Sequence, residues 1–549
     1  MKRQLSLLPM AMLVSACLPA LAQQAPDAGQ LLQENARKLP QPLPQSAAPL
    51  QLAPPAPAQQ PGGQQVTLQR IVISGNTRIA SDVLLAALGP ISGNTYDFAR
   101  LSALAARVTS HYQQAGYPFA RAYLPQQDLS TGELHIQVLE GRYGRVVAHG
   151  EPGFVASAQG FLDELPKGGL IESGGLERVT LLLNDQPGVI SIPTMRPGDT
   201  VGTGDLLVEV QRDRRYKGEV GIDNFGSRAT GRHRLHASVD LDSPFMFGDQ
   251  ISVQALYTEE NMWFGALAYA LPLGHSGLRG RVSYTHSFYE LSGSFAALGA
   301  RGTADVASVG LSYPLVRSQQ RNLTLSVGID RKKLRDSQAA TATQSDKSSV
   351  VLPVNLAFDV RDQFLYAGIT YGALSWVKGN LDLDGASLAN DSASARTAGS
   401  FSKLNLDIAR IQSFTSRLNL FGRLSLQRAA QNLDSSEKLG LGGVNGVRAY
   451  PNGEVFGDNG WVAQAELRYT VGQATPYLFY DAGKVKLNKS AWGGIDNDRA
   501  LAGAGLGVRY GGEKWTGGVT LAWRTRGGAP QSEDRDRALN ILANLTYRF

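Results

Sequence analysis

Cysteine is nearly absent from this sequence, which has one, Cys17, among 549 residues. A single cysteine excludes a disulfide framework and every metal cluster held by several thiolates. Long apolar runs are absent as well, since no segment after the N-terminus reaches the roughly 18 apolar residues that identify a membrane-spanning helix. We therefore expect either a soluble protein or a membrane β-barrel, the other structure that satisfies its backbone hydrogen bonds in lipid.

Charge and catalytic motifs are also sparse. Charged residues make up 18% of the chain, against a usual share of about 25%, and a net charge of +6 is too dilute to indicate nucleic-acid binding. The phosphate-binding G-x-x-x-x-G-K-[ST] loop and the G-x-S-x-G elbow are missing. Among the scattered histidines, His233 and His236 should face opposite sides of a predicted strand. The sequence thus predicts no enzyme, no cofactor and no metal site.

The N-terminus predicts export. Basic residues at positions 2 and 3, an apolar run at 5–18 and an A-x-A cleavage site at 20–22 indicate that residues 1–22 are a secretory signal peptide. An alternative lies inside it, because Val14-Ser15-Ala16-Cys17 resembles a lipoprotein box that would retain Cys17 as a lipid anchor. With ordinary cleavage the mature chain has no cysteine, as suits an oxidising periplasm.

A short helix and a proline-rich linker follow. Within segment 23–39, residues 27–39 predict a helix with Leu32, Ala36 and Leu39 on one face, although a frayed tail is the alternative. Residues 40–64 contain eight prolines, and an extended linker of this length reaches roughly 75 Å at about 3.1 Å per residue. The reach exceeds the bilayer thickness of about 40–45 Å. The helix could therefore lie inside a pore while the next domain stays in the periplasm.

Two small α+β modules come next, at 65–146 and 147–214. The first is predicted as β-α-α-β-β, with a strand from Val66 and a second helix at 97–114 that stops at Gly116. A strand at 119–124 and an alternating strand at 134–138 complete it. The second module repeats this pattern more loosely, with a helix at 176–183 and a last strand at 206–210.

Residues 215–549 contain sixteen segments of roughly 10–13 residues with period-two alternation. In one of them Leu323, Leu325 and Val327 alternate with Thr324 and Ser326. Apolar-out and polar-in strands predict a sixteen-stranded outer-membrane barrel with a wet lumen. A large soluble β-sandwich or propeller is the alternative. The signal peptide, the tyrosines and tryptophans near strand ends, and the aromatic end of the last strand favour the barrel.

Four local motifs carry a family resemblance. They are Leu181–Val189 (LLLNDQPGV), Ile222–Arg228 (IDNFGSR), Gly446–Tyr450 (GVRAY) in the loop after the eleventh barrel strand, and Phe479–Gly483 (FYDAG) on the thirteenth. In this order they resemble the outer-membrane transporter (TpsB) component of two-partner secretion, in the outer-membrane insertase superfamily. The third tip position is alanine here, where the superfamily has glycine.

This resemblance implies a transmembrane β-barrel of sixteen antiparallel strands, preceded by two periplasmic POTRA domains and an N-terminal plug helix. It also implies a monomeric transporter in the outer membrane of a Gram-negative cell, surrounded by outer-membrane lipid. The expected substrate is a large secreted partner protein, TpsA-type and β-helical, such as a haemolysin, an adhesin or a contact-dependent toxin. Because the periplasm offers no ATP, we expect the folding of the partner outside the cell to drive export.

The resemblance also suggests a conformational lock formed by Val447, Arg448 and Tyr450 at the loop tip and Asp481 on the thirteenth strand. Facing lipid would be costly for Asp481, so the carboxylate should face the lumen. Alternation cannot confirm this, because both faces of the strand are aromatic. Arg448 could fold inward and form a bidentate ion pair with the carboxylate. A solvated loop charge is the alternative for Arg448.

Capture of the partner is expected in the first POTRA domain. Adding an extended chain to a sheet edge, with apolar pockets for alternate side chains, is a general way to bind an unfolded segment. We predict that the edge strand and the neighbouring helix face provide this site. The predicted substrate-binding residues are Phe119, Tyr123, Leu124, Leu104 and Val108.

Two other functions are consistent with parts of the sequence. A β-barrel insertase of the same superfamily predicts more POTRA modules and no plug helix with a Pro-rich linker. A passive porin predicts no periplasmic modules, which the 65–214 region contradicts. The sequence does not identify the exported partner.

Overall fold

The structure, a computed structural model, describes residues 25–36, 65–91, 93–493, 496–533 and 536–549. The predicted signal peptide (1–22) and Pro-rich linker (40–64) lie outside these residues. Within the described ranges, no helix is both long enough and apolar enough to span a membrane.

The first of the two small modules packs two helices on a three-stranded sheet of order β2-β5-β4. Its elements are β1 (Val66–Thr67), β2 (Arg70–Ser74), α2 (Ser81–Leu88), β3 (Thr95–Tyr96), α3 (Phe98–Gln114), β4 (Arg121–Tyr123) and β5 (Glu133–Leu139). The helix α3 begins after Asp97, whose side chain accepts the Arg100 N–H at 2.8 Å.

A buried carboxylate stabilises this module. Glu140 is 7% exposed and accepts the backbone N–H groups of Thr77 (2.6 Å) and Arg78 (2.7 Å) and the hydroxyl of Tyr112 (3.0 Å). Burial alone would raise the pKa of Glu140, but the hydrogen bonds from Thr77, Arg78 and Tyr112 outweigh it and hold the pKa below its ordinary value. The charged form of Glu140 therefore connects the end of the sheet to the segment before α2.

The second module has the order β-α-α-β-β, which is that of the first without its two-residue strands β1 and β3, around a core of its own. Its elements are β6 (Arg142–Gly150), α4 (Pro152–Leu162), α5 (Ser173–Asn184), β7 (Val189–Pro197) and β8 (Thr203–Arg212), with sheet order β6-β8-β7. The buried side chains of α5 include Leu182 and Leu183, which belong to the LLLNDQPGV motif. The motif thus forms the end of a core helix and the turn that follows.

Sixteen antiparallel strands close into a barrel, as predicted. The strands and the short elements between them are β9 (Tyr216–Asp223), β10 (Arg234–Asp242), β11 (Gln250–Thr258), β12 (Trp263–Pro272), β13 (Arg279–Glu290), β14 (Ala300–Arg317), β15 (Arg321–Gln338), β16 (Thr343–Asp362), β17 (Ala367–Leu383), α6 (Gly385–Ser392), β18 (Gly399–Ser413), β19 (Leu418–Ala429), β20 (Leu439–Gly440), β21 (Phe456–Gly457), β22 (Asn459–Tyr469), β23 (Ala474–Lys486), β24 (Asp498–Gly511), β25 (Trp515–Arg526) and β26 (Leu539–Arg548). Strand lengths run from 8 residues in β9 to 20 in β16, so the expected 10–13 is too narrow. A strand needs only about 9–11 residues to cross the bilayer, and the longest ones extend past it.

The plug helix α1 (Ala28–Ala36) lies inside the barrel. Its buried residues Ala28, Leu31 and Leu32 pack on lumen-facing side chains, among them Ala304 and Leu334. Asp27 precedes the helix and accepts the N–H of Gln30 at 2.9 Å. Residues 37–39 of the predicted helix lie outside the described residues.

Candidate functional site in the barrel lumen

The loop at 430–458, between β19 and β22, folds into the lumen instead of extending into solvent. Within it β20 pairs with β21, and the loop tip turns back on itself. At the tip, the Val447 N–H donates to the Leu441 carbonyl at 2.6 Å and the Tyr450 N–H to the Val447 carbonyl at 3.0 Å. These bonds satisfy backbone groups that no strand covers, so the tip holds its shape inside the barrel.

The structure places Arg448 directly on Asp481 of β23. Nε and NH2 of Arg448 donate to the two carboxylate oxygens, each at 2.7 Å, and the Arg448 backbone N–H adds a third bond at 3.1 Å. Asp481 is fully buried and Arg448 is 3% exposed. Leu478 and Tyr480 face outward while Tyr477 and Phe479 are buried, which resolves the ambiguity of the two aromatic faces.

Glu466 on β22 completes the charge cluster, and sequence reasoning missed it. Its carboxylate accepts from Arg448 NH1 at 2.5 Å, from both terminal nitrogens of Arg509 at 2.8 and 2.9 Å, and from Arg468 Nε at 2.7 Å. Two carboxylates thus face three guanidinium groups. The available signal was weak: Glu466 alternates with outward-facing Leu467, as many polar lumen residues do.

Two of these guanidinium groups lie over the faces of aromatic rings. The Arg448 guanidinium lies 3.7 Å from the centroid of the Phe479 ring, and that of Arg509 lies 4.1 Å from the centroid of Tyr477. Such stacking attracts a cation to the ring face and excludes water from one side. Phe479 and Asp481, two residues apart on β23, therefore bind the same side chain.

The other predicted lock residues are buried around the ion pair. Val447 and Tyr450 are both 0% exposed, and the Tyr450 hydroxyl lies within hydrogen-bond distance of the carbonyls of Arg526 (2.8 Å) and Gly528 (2.9 Å), which share its one proton. Ala449 has no left-handed backbone, so alanine is accommodated at the third tip position. Its methyl group packs against the backbone of Gly503, where a side chain would collide with it.

The base of the same loop contacts the plug helix. Asp27 accepts from the Ser435 hydroxyl at 2.7 Å, and Lys347 bridges Asp27 (3.3 Å) and Asp434 (3.1 Å). Nearer the end of the helix, Glu34 accepts from the Asn452 side chain at 2.9 Å. The loop therefore lies between the plug and the barrel wall and is bonded to both.

The predicted substrate-binding residues are not all on one surface. Leu104 and Val108 are 4% and 1% exposed in the module core, so predicting them as a binding face was wrong. Their face of α3 packs on the sheet instead. Phe119 packs on the core of the second module, and β4 contains three of the six residues predicted as a strand. Tyr123 is exposed and Leu124 half-buried, so these two remain accessible.

Comparison with known proteins shows which family the chain is similar to. The family model described as "Haemolysin secretion/activation protein ShlB/FhaC/HecB" matches residues 202–510, and the ShlB-type POTRA domain model matches residues 66–141. The heme/hemopexin transporter protein HuxB of Haemophilus influenzae (strain 86-028NP) is 26% identical over 464 residues, covering 81% of this chain and 80% of HuxB. The outer membrane transporter CdiB of Escherichia coli O6:K15:H31 (strain 536 / UPEC) is 26% identical over 492 residues, covering 86% of this chain and 79% of CdiB.

A solved structure has the same architecture. CdiB from Escherichia coli superposes with a TM-score of 0.71 at 22% identity, covering 91% of this chain and 94% of that one. The fold, the order of the motifs and the family model, which covers more than half of the chain, agree. The chain belongs to the ShlB/FhaC/HecB family, the outer-membrane transporters of two-partner secretion.

Proposed function

We propose that this chain exports one large, unfolded partner protein through its own barrel and catalyses no reaction. The observation that carries the proposal is a lumen filled by two separable segments, the plug helix and the loop at 430–458, neither of which is a barrel strand. A transporter needs a path that is closed at rest and opens for its substrate. The partner is expected to be β-helical and to drive export by folding outside the cell. The transporter is expected to be a monomer surrounded by outer-membrane lipid.

The loop and its partners Asp481 and Glu466 are proposed to act as the lock of this path. A bidentate arginine–carboxylate pair fixes distance and orientation together. Burial makes the pair costly to break, since each separated charge would lose its partner. The lock would therefore keep the loop in one position until transport displaces it.

Capture of the partner is proposed in the first POTRA domain, but β4 is a restricted edge. The N–H of Ala122, its middle residue, donates to the Thr109 hydroxyl of α3 at 2.9 Å. An added strand would have to displace Thr109. The opposite edge strand, β2, has no such side-chain bond to its backbone within the described residues. Both edges are therefore candidates, with Tyr123 at the end of β4 and Leu124 directly after it accessible.

The plug helix favours the transporter over an insertase. An insertase of the superfamily was expected to have no plug helix, whereas α1 and the Asp27 before it are bonded, through Glu34 and Asp27, to the loop that the lock would release. The lock and the plug would then open together. This coupling serves a path through the barrel.

Deleting residues 66–213 tests the proposal. The barrel should still insert in the outer membrane, because its strands close on themselves, while secretion of the partner encoded with it should be lost. Heat-modifiability of the barrel on gels and the amount of partner in the medium are the two measurements. Export at the normal rate would show that the POTRA domains do not capture the partner. A general loss of other outer-membrane proteins would instead indicate an insertase.

A further inference from the structure

The second POTRA module is joined to the barrel by an ion pair that the lock does not use, between a buried arginine and a partly exposed aspartate. Asp185, in the turn after α5, forms two bonds of 2.7 Å with Nε and NH2 of Arg317 at the end of β14. The Arg317 side chain is 1% exposed. The next residue, Gln186, is 3% exposed and accepts from Arg279 NH1 at 2.8 Å. The Asn-Asp-Gln-Pro-Gly turn thus contacts two arginines of the barrel wall.

A β-bulge aims Arg317 at this turn. The register between β14 and β15 shifts between Pro314 and Val316. Before the bulge, even-numbered residues of β14 such as Ala304 face the lumen. After it, Arg317 lies opposite Asn322 and donates to its side-chain oxygen at 3.0 Å. A bulge reverses which face a strand presents, so Arg317 faces the lumen although its number is odd.

The helix α5 also contacts the backbone at the bulge. Arg178 NH2 donates to the Pro314 carbonyl at 2.9 Å, and Glu177 accepts the Gln319 N–H at 2.8 Å. From the barrel side, Phe247 in the turn after β10 belongs to the core of the second module, with its ring 5.3 Å from that of Phe154. The barrel thus inserts Phe247 into the core of the second module, while the module bonds to the backbone of the barrel. The two surfaces therefore interlock.

These contacts lie on one side of the barrel mouth. They involve three consecutive turns, at 243–249, 273–278 and 318–320, out of seven on the POTRA side. For the described residues, no hydrogen bond or ion pair joins the second module to the turns at 363–366, 414–417, 470–473 and 512–514. Within the described residues, the second module is therefore bonded to the turns on one side of the barrel mouth, and the turns on the other side have no such bond to it.

We propose that Arg317 is a positioning residue for export: with Asp185 it forms a fixed joint that holds the second POTRA module at one side of the mouth, so that the captured partner enters the lumen at the other side. Only the statement about where the captured partner enters the lumen rests on the proposed function. The joint itself is a property of the chain without a partner.

Charge reversal tests the joint. In a Cys17→Ser background, spin labels at Glu164→Cys in α4's following turn and Ser416→Cys on a free barrel turn report the distance between module and barrel. Without the reversal we expect one narrow distance. Asp185→Arg or Arg317→Asp should broaden it and lower secretion about tenfold, because an unpaired charge is left in a buried site. Combining the two reversals should restore the narrow distance and most of the secretion.

Two further variants distinguish loss of the Asp185–Arg317 ion pair from general destabilisation of the protein. Arg317→Lys keeps the charge but cannot form two parallel bonds, so it should give an intermediate distance distribution and intermediate secretion. The swap Arg335→Asp with Asp346→Arg, an exposed pair at the far end of the barrel, should change neither measurement. A narrow distance in both single reversals would overturn the joint. A broad distance with normal secretion would overturn its role in export, and because the distance is measured without partner, that result leaves the proposed function standing.

Discussion

Replacing Arg448 should weaken the lock more than replacing Asp481. Arg448→Ala removes two bonds to Asp481 and one to Glu466 and leaves both carboxylates buried without this cation. Asp481→Ala leaves the guanidinium paired with Glu466. Losing one partner of a buried pair costs about 3–5 kcal/mol where burial is complete, and the wet lumen should reduce that cost to about 3 kcal/mol for Arg448→Ala. We expect about 1.5–2 kcal/mol for Asp481→Ala, in the range for hydrogen bonds to a charged group.

The double variant is the decisive measurement. Because the two residues act through each other, Arg448→Ala with Asp481→Ala should be little worse than Arg448→Ala alone, both in secretion and in the free energy of unfolding by urea in lipid vesicles. A charge swap, Arg448→Asp with Asp481→Arg, should rescue only in part, since Tyr450 and Glu466 also fix the tip.

An exposed ion pair provides the matched control for the lock. Arg335 and Asp346 are 66% and 43% exposed at the extracellular end, and alanine at either should cost no more than about 1 kcal/mol. Barrel insertion should be nearly normal in all these variants. Fully additive losses in the Arg448 and Asp481 double variant would show that the residues act independently, and the lock would have to be abandoned.

Two other predictions follow from the plug and from Glu140. Deleting residues 25–39 should raise single-channel conductance in planar bilayers, because α1 fills part of the lumen; unchanged conductance would mean that the segment does not block the pore. Since the pKa of Glu140 is lowered in the folded state, its stabilisation is present above the ordinary carboxyl pKa and is lost as pH falls through the folded value. The protection factors of the Thr77 and Arg78 amides, which correct the exchange rate for its intrinsic pH dependence, should therefore fall on acidification in the native chain. In Glu140→Gln, whose neutral oxygen accepts more weakly, they should be lower and independent of pH; identical profiles would contradict this.

Local patterns in the sequence were sufficient for the architecture. Period-two alternation predicts membrane strands wherever one face meets lipid and the other meets water, and this holds for each strand separately. The sixteen-stranded barrel could therefore be predicted before any contact was known, whereas the plug helix, for which a frayed tail was the alternative, depended also on the family resemblance. The Arg448–Asp481 pair came from the resemblance of two motifs, because no spacing rule relates residues on a loop and on a strand across the lumen.

Only the tertiary structure decided which face and which partner each side chain has. On β23 both faces are aromatic, so closure of the barrel, with Tyr477 against the loop and Tyr480 toward lipid, determined where Asp481 points. The bulge before Arg317 reverses the parity that alternation would assign. Glu466 gathers three arginines from the loop, its own strand and β24 only after the barrel closes. The physical reason is common to all three cases: alternation is a property of one strand, whereas a buried charge is satisfied by groups distant in the chain.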